Sequence, residues 1–121
     1  MEFNHERPIY QQLKEELSRM VARGELPPGS KVPAVRETAQ RMQVNPNTVQ
    51  RAYRELEGEG LFFTRRGQGT FVTEDEAAVS ALRWDLGREG ARSFVKLGLS
   101  LGLEREDMIK LLREAMEREG I

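Results

Sequence analysis

Only three residues, Gln43–Asn45, separate two short amphipathic stretches, and this interval constrains the fold more than any other feature of the chain. The stretch before it has apolar residues at helical spacing, namely Val35, Ala39 and Met42. A new helix is indicated directly after it, because Asn45 is a good N-cap and Pro46 suits the first helical position. Two short helices joined so closely predict either a helix-turn-helix or an ordinary αα-hairpin.

The residues on both sides of these helices favour the helix-turn-helix. The third helix is predicted by an apolar stripe at steps of three and four, formed by Val49, Ala52, Tyr53 and Leu56. Two β-rich segments, residues 61–64 and 70–73, follow it around the glycine-containing turn 65–69 and predict a hairpin. A first helix precedes them, with apolar positions Ile9, Leu13, Leu17, Met20 and Val21. Three helices and then a hairpin predict a winged helix-turn-helix domain over residues 1–73.

Residues 74–121 are predicted to form a tail of two helices. A long helix over residues 76–101 is indicated by Val79, Leu82, Leu86, Phe94, Leu97 and Leu101, and a last helix by Ile109, Leu112 and Met116. The long helix contains Gly87, Gly90 and Gly98, which leave open a continuous helix, a kink or a close helix–helix approach. The predicted fold class is therefore mainly α with a small β-hairpin.

The composition excludes several classes of protein. The chain has no cysteine and one histidine, His5, so it has no residues at the spacing of a zinc site. It shows no nucleophile–base pair and no phosphate loop, so we expect no enzymatic activity, no catalytic residue, no metal and no cofactor. No apolar run approaches the ~20 residues of a membrane span. The N-terminus also lacks the pattern of a signal peptide, so we expect a cytoplasmic protein without a membrane partner.

The charge distribution permits a nucleic-acid-binding surface on the first domain. The net charge is −1, but residues 1–73 carry eleven Lys or Arg against nine Asp or Glu, and residues 74–121 carry eight against eleven. The face of the third helix opposite its apolar stripe presents Asn47, Thr48, Gln50, Arg51 and Arg54, and none of these five residues is acidic. Such side chains bind base edges and phosphates in a major groove, and the alternative is a solvated polar face.

Two further places are expected to contact double-stranded DNA. Arg36 lies early in the second helix, at the end that crosses the DNA backbone in helix-turn-helix proteins. The hairpin tip suits a minor groove, because arginine is attracted there and glycine permits close approach. This tip consists of Arg65, Arg66, Gly67, Gln68 and Gly69. A surface ion pair of Arg36 and a solvated turn are the alternatives, and Tyr10 is a further candidate for a phosphate contact.

Four segments resemble the GntR family of winged-helix transcription regulators, in order and without gaps: Leu26–Pro33, Asn47–Leu56, Glu59–Leu61 and Gly67–Val72. The resemblance implies a protein that binds palindromic operators as a dimer. It also implies DNA contacts by Arg36, Asn45, Asn47, Thr48, Gln50, Gly67, Gln68 and Gly69. The family often has arginine at the positions of Pro46 and Gln50, so more of the base recognition is left to Asn47, Gln50 and Arg51.

The short segment after the hairpin resembles the YtrA-type subgroup, in which a helical tail serves dimerisation. The resemblance thus implies a transcription repressor whose winged helix-turn-helix, residues 1–73, is followed by a two-helix C-terminal dimerisation tail, residues 74–121. The apolar residues of the tail also favour a homodimer, because two helices cannot cover so many of them. A tail that completes a monomeric core is the alternative. A winged helix that binds proteins without specific DNA binding is another, and a small-molecule effector is left open.

Overall fold

The computed structural model describes residues 1–121, which form five helices and one two-stranded antiparallel hairpin. The elements are α1 (Ile9–Ala22), α2 (Val35–Met42), α3 (Pro46–Gly58), β1 (Phe62–Arg65), β2 (Gly69–Val72), α4 (Glu76–Ser100) and α5 (Arg105–Arg118). The chain forms two compact units, residues 1–83 and residues 84–121. The predicted fold class, mainly α with a small hairpin, is confirmed. No helix combines the length and the hydrophobicity that crossing a bilayer requires.

The first unit has one apolar core, to which every element before residue 83 contributes. All four apolar positions predicted for the third helix are buried in it, namely Val49, Ala52, Tyr53 and Leu56. Helix α1 adds Leu13, Leu17 and Val21, and the hairpin adds Phe62 and Val72. The periodicity of the sequence therefore identified the buried face of α3, which in turn determines the face of this helix that is exposed.

Tyr53 joins α3 to the lead-in segment of α2, residues 30–34. Its hydroxyl donates to the Pro33 carbonyl oxygen at 2.7 Å, and it lies 2.7 Å from Thr38 Oγ1. Because a phenol has one proton, the Thr38 hydroxyl is then the donor to Tyr53. Burial raises the pKa of Tyr53, so the phenol stays protonated and keeps this network complete. Pro33 precedes α2, which begins at Val35, so its carbonyl oxygen is free to accept the hydrogen bond from Tyr53.

The turn between α2 and α3 has the predicted N-cap and an unpredicted backbone conformation. The Asn45 side-chain oxygen accepts a hydrogen bond from the Asn47 backbone N–H at 2.8 Å, and Pro46 is the first helical residue, as predicted. Gln43 ends α2 with a φ of +54°, and it is the one non-glycine residue with positive φ. A left-handed residue at this point allows α3 to begin after only two further residues.

Substitutions at Gln43 are expected to separate backbone strain from side-chain contacts. Glycine should leave the free energy of unfolding unchanged or raise it by up to about 1 kcal/mol, because it relieves the left-handed strain but adds entropy to the unfolded chain. Valine should lower it by about 1–3 kcal/mol, because a β-branched residue tolerates this conformation poorly. Urea unfolding at matched protein concentration measures both, and equal stability of the two variants would contradict the expectation.

The hairpin is attached to the lead-in segment of α2 by backbone hydrogen bonds. Its strands pair from Phe62 opposite Val72 to Arg65 opposite Gly69. The Val32 N–H donates to the Thr70 carbonyl at 2.8 Å, and the Val72 N–H donates to the Ser30 carbonyl at 2.9 Å. Both strands lie one residue nearer the turn than predicted. Before β1, the Leu61 N–H still donates to the Leu56 carbonyl at the end of α3, and the Leu61 carbonyl accepts from the Thr73 N–H. The hairpin, which is the wing of the domain, therefore has a third backbone segment alongside β2, and this segment stabilises it.

Helix α4 is continuous through its glycines from Glu76 to Ser100. Its first turns belong to the first unit, because Val79 is 4% exposed in the core and the Arg83 Nε donates to the Ala22 carbonyl at 2.8 Å. In the second unit, a Cβ added to Gly98 would lie 2.8 Å from Met108 Cε. Gly98 therefore permits the close approach of α5 to α4, whereas an added Cβ at Gly87 or Gly90 meets nothing.

Candidate nucleic-acid interface

The five residues predicted to form the outward face of α3 are all polar, and none of them carries a carboxylate. Asn47, Gln50, Arg51 and Arg54 are exposed, and Thr48 is half-buried. The Asn45 cap engages one N–H group of the first turn, and the N-terminal end of the helix keeps its positive partial charge. Amide and guanidinium groups on one exposed helix face can form paired hydrogen bonds with purine edges, so this face has the chemistry for binding DNA in the major groove.

Arg36 lies close to the N-terminus of α3, although nine residues of the chain separate it from Pro46. Both residues line a shallow cleft of about 310 Å³, together with Ala39, Gln40 and Val44. Arg36 takes part in none of the ion pairs of the structure, so a surface ion pair does not occupy it. The neighbouring acid, Glu37, lies 3.7 Å from the Arg41 guanidinium. The structure therefore brings an uncompensated guanidinium next to the start of α3.

The tip of the hairpin contains two glycines with positive φ, Gly67 and Gly69. The Gln68 N–H donates to the Arg65 carbonyl at 2.9 Å and closes a turn, and Gly67 is its third residue with a φ of +79°. Such a φ favours glycine at that turn position. Gly69 follows with a φ of +120°, which L side chains rarely adopt. Arg66, Gly67 and Gln68 are exposed at the end of the hairpin, where a narrow groove can accommodate them.

The two wing arginines have different surroundings, although they were predicted together. The Arg65 guanidinium lies 5.2 Å from the ring centroid of Phe71 and 5.4 Å from that of Phe63. It also lies 3.4 Å from a carboxylate oxygen of Glu74. Arg66 has no ion pair. The charge of Arg65 is therefore partly compensated by contacts within the protein, whereas the charge of Arg66 is available to a ligand.

Two contacts of this surface were not predicted from the sequence. Lys31 pairs with Phe71 of β2, and its Cε would lie 2.9 Å from a Cβ added to Gly69, so a further cation stands beside the wing. The Arg51 guanidinium carbon lies 3.7 Å from the ring centroid of Tyr10, at the start of α1. Nothing local to Lys31 or Tyr10 in the sequence signals these contacts, because each joins residues far apart in the chain.

No cluster of three or more His, Cys, Asp or Glu side chains could hold a metal ion.

Comparisons with known proteins agree with this geometry. The family model of the bacterial regulatory proteins of the gntR family matches residues 9–72. The chain is 43% identical over 116 residues to the uncharacterized HTH-type transcriptional regulator YhcF of Bacillus subtilis, and the match covers 96% of each protein. It is 46% identical over 68 residues to the HTH-type transcriptional repressor YtrA of Bacillus subtilis, which covers 56% of this chain and 52% of YtrA.

Solved structures show the same fold. A GntR family transcriptional regulator from Listeria monocytogenes superposes with a TM-score of 0.89 at 33% identity, over 93% of this chain and 98% of that one. The DNA-binding domain of AraR in complex with operator ORX1 superposes with a TM-score of 0.53 at 36% identity, over 55% of this chain and 81% of that one. The similarity to AraR thus covers about half of this chain.

Proposed function

The chain belongs to the GntR family of bacterial regulatory proteins, as its motifs predicted, and we propose that it is a cytoplasmic, sequence-specific DNA-binding transcription regulator. We further propose that it represses transcription by binding a palindromic operator as a homodimer. The observation that carries the proposal is the exposed face of α3, where Asn47, Gln50, Arg51 and Arg54 stand on one side of the helix without an acid among them. The similarity to a DNA-binding domain in complex with its operator supports it.

In this proposal, each part of the surface has its own role. Gln50 pairs with adenine and Arg51 with guanine in the major groove, and both identify bases. Arg36 and the backbone at the start of α3, with Asn45, Asn47 and Thr48, bind phosphates and set the register on the duplex. The wing residues 65–69 enter the adjacent minor groove.

The proposed homodimer forms through the tail, residues 74–121. Of the large apolar residues that are exposed, all but Met1 lie in the second unit. They are Trp84, Val95, Leu97, Leu99, Leu101, Ile109, Leu111, Leu112, Met116 and Ile121. Four of them, Val95, Leu99, Ile109 and Leu112, line one apolar groove in this unit, and a large exposed apolar patch is rare on a monomer. A twofold dimer would also place the α3 helices of its two subunits, the recognition helices, about 34 Å apart. This is one turn of DNA and matches the spacing of the two half-sites of a palindrome.

The experiment that tests the function is selection of bound sequences from random duplexes by the full chain, followed by gel shifts of the enriched duplex at increasing salt. We expect a palindromic motif and an affinity that falls steeply with salt, because phosphate contacts release counterions. The repressor role is tested by deleting the gene, after which transcription next to the selected site should rise. Absence of both enrichment and salt-dependent binding would instead favour a winged helix that binds proteins.

The two wing arginines are expected to respond differently to alanine substitution. Arg66→Ala should lower the slope of log affinity against log salt by about one counterion and weaken binding evenly across sequences. Arg65→Ala should change the slope less, because its charge is already partly compensated by Glu74. Fluorescence anisotropy with the selected duplex at five salt concentrations measures both slopes. Equal slopes for the two variants would contradict different roles.

A further inference from the structure

The guanidinium of Arg51 lies over the ring of Tyr10. Its carbon is 3.7 Å from the ring centroid, close to the separation of two stacked planar groups. An upright guanidinium at this distance would push a nitrogen into the ring, so the guanidinium turns a face and not an edge towards the ring. The N–H groups of arginine point outward in the plane of the guanidinium, so a stack on one face leaves these donors open.

The one acid of α3 that lies a turn beyond Arg51, Glu55, is paired elsewhere. It lies 3.7 Å from Lys14 Nζ, which also pairs with Glu59. Arg51 itself takes part in no ion pair. The ring therefore holds the guanidinium in place through the electron-rich face of the phenol and leaves its charge uncompensated.

We propose that Tyr10 is a positioning residue for DNA recognition: it holds Arg51 so that the donor edge of the guanidinium faces a guanine of each half-site. The inference rests on the proposed function. Arginine pairs with the O6 and N7 atoms of guanine through two parallel hydrogen bonds, which require the plane of the guanidinium to be oriented. An arginine already ordered in the free protein loses less conformational freedom when it binds. Helix α1 thus contributes to sequence preference without contacting a base.

The test uses the full chain, the duplex that the unsubstituted chain selects from a random library, and a shuffled duplex as control. Tyr10→Leu should weaken binding to the selected duplex about 5-fold and leave binding to the shuffled duplex nearly unchanged, because only the stack is lost. Tyr10→Phe keeps the ring and should retain the wild-type affinity. In an Arg51→Ala background, Tyr10→Leu should cause no further loss, because the residue through which it acts is absent.

Three results would overturn the inference. One is an equal loss for Tyr10→Leu with and without Arg51, which would mean that Tyr10 acts independently of it. Another is a loss for Tyr10→Phe as large as that for leucine, which would identify a contact of the hydroxyl with phosphate. The third is a base preference of Tyr10→Leu identical to that of the unsubstituted chain at every position. Tyr10→Gln repeats the comparison with a second side chain that lacks a ring, and thermal unfolding verifies that each variant is folded.

Failure of the proposed function has a different signature. The unsubstituted chain would then select no duplex and bind all duplexes equally weakly, which would overturn the function and the role of Tyr10 together. If the unsubstituted chain selects a duplex while the Tyr10 variants behave as in any of the three results above, the function stands and only the positioning role is refuted.

Discussion

A fragment that ends at Arg83 is expected to remain a folded winged helix, to become a monomer and to lose about a hundredfold or more in affinity for the selected palindrome. The loss follows from linkage: once one half of a dimer is bound, the second half binds at a high effective concentration, and this gain commonly amounts to two or more orders of magnitude. Sedimentation equilibrium measures the oligomeric state, circular dichroism the fold, and fluorescence anisotropy the affinity.

The fragment must extend to Arg83 because the start of α4 contributes to the core of the first unit. Val79 is 4% exposed there, Leu82 packs against the same core, and Arg83 hydrogen-bonds to the end of α1. A fragment that ends at Glu74 would lack Val79 and should lose about 1.5–3 kcal/mol of stability from that side chain alone. The assignment of residues 1–73 to DNA binding and residues 74–121 to dimerisation remains a prediction, and the fragment that ends at Arg83 tests the role of residues 84–121.

A pair of point variants in the full chain provides a matched control. Leu99→Lys and Glu89→Gln, both in α4, raise the net charge by one, but only the first places a charge on a large exposed apolar residue. We expect Leu99→Lys to dissociate the dimer and weaken operator binding, although its added positive charge favours DNA. Glu89→Gln should retain the dimer. Trp84 is the one tryptophan and is 64% exposed, so its emission should shift to shorter wavelength as the chain dimerises.

The dimer proposal would be refuted if the fragment that ends at Arg83 remained dimeric or bound the palindrome as tightly as the full chain. If Leu99→Lys and Glu89→Gln instead show the same oligomeric state and the same affinity, the apolar side chain of Leu99 is not part of the dimer contact.

Gln50→Ala is expected to relax sequence preference at one base pair of each half-site, with a loss of about 1–3 kcal/mol in discrimination there. The reason is that an amide side chain can make two hydrogen bonds to adenine, whereas alanine can make none. The dependence of affinity on salt should stay the same, because no charge is removed. Competition binding with all four bases at each position of the selected duplex measures the preference profile.

Arg66→Ala is the control for this prediction, because it removes a charge outside the recognition helix. It should weaken all duplexes to a similar extent and leave the profile unchanged, which is the opposite pattern to that of Gln50→Ala. If Gln50→Ala leaves the profile intact, the base-reading face of α3 has been assigned incorrectly, and Asn47 and Arg54 become the next positions to examine.

The sequence by itself determined the order of the elements and the buried face of α3. Helical periodicity depends on the few residues of each turn, so the positions of Val49 and Leu56 in the core could be predicted without the rest of the chain. The Asn45 cap and the positive φ of Gly67 are equally local, because both arise within a few bonds of the residue. The GntR motifs lie in these segments, and the family was therefore recognisable.

Tertiary structure decided how the charged residues of that surface are used. Arg65 and Arg66 are adjacent residues of the same type. They differ because Phe71 and Glu74 lie beside Arg65 and partly compensate its charge. Likewise, the pairing of the lead-in segment with β2 brings Lys31 beside the wing.

The stack of Arg51 on Tyr10 is the clearest case. It joins residues of α1 and α3 that are far apart in the chain. Such contacts depend on how helices and strands pack over long separations in sequence, which no local pattern of residues encodes.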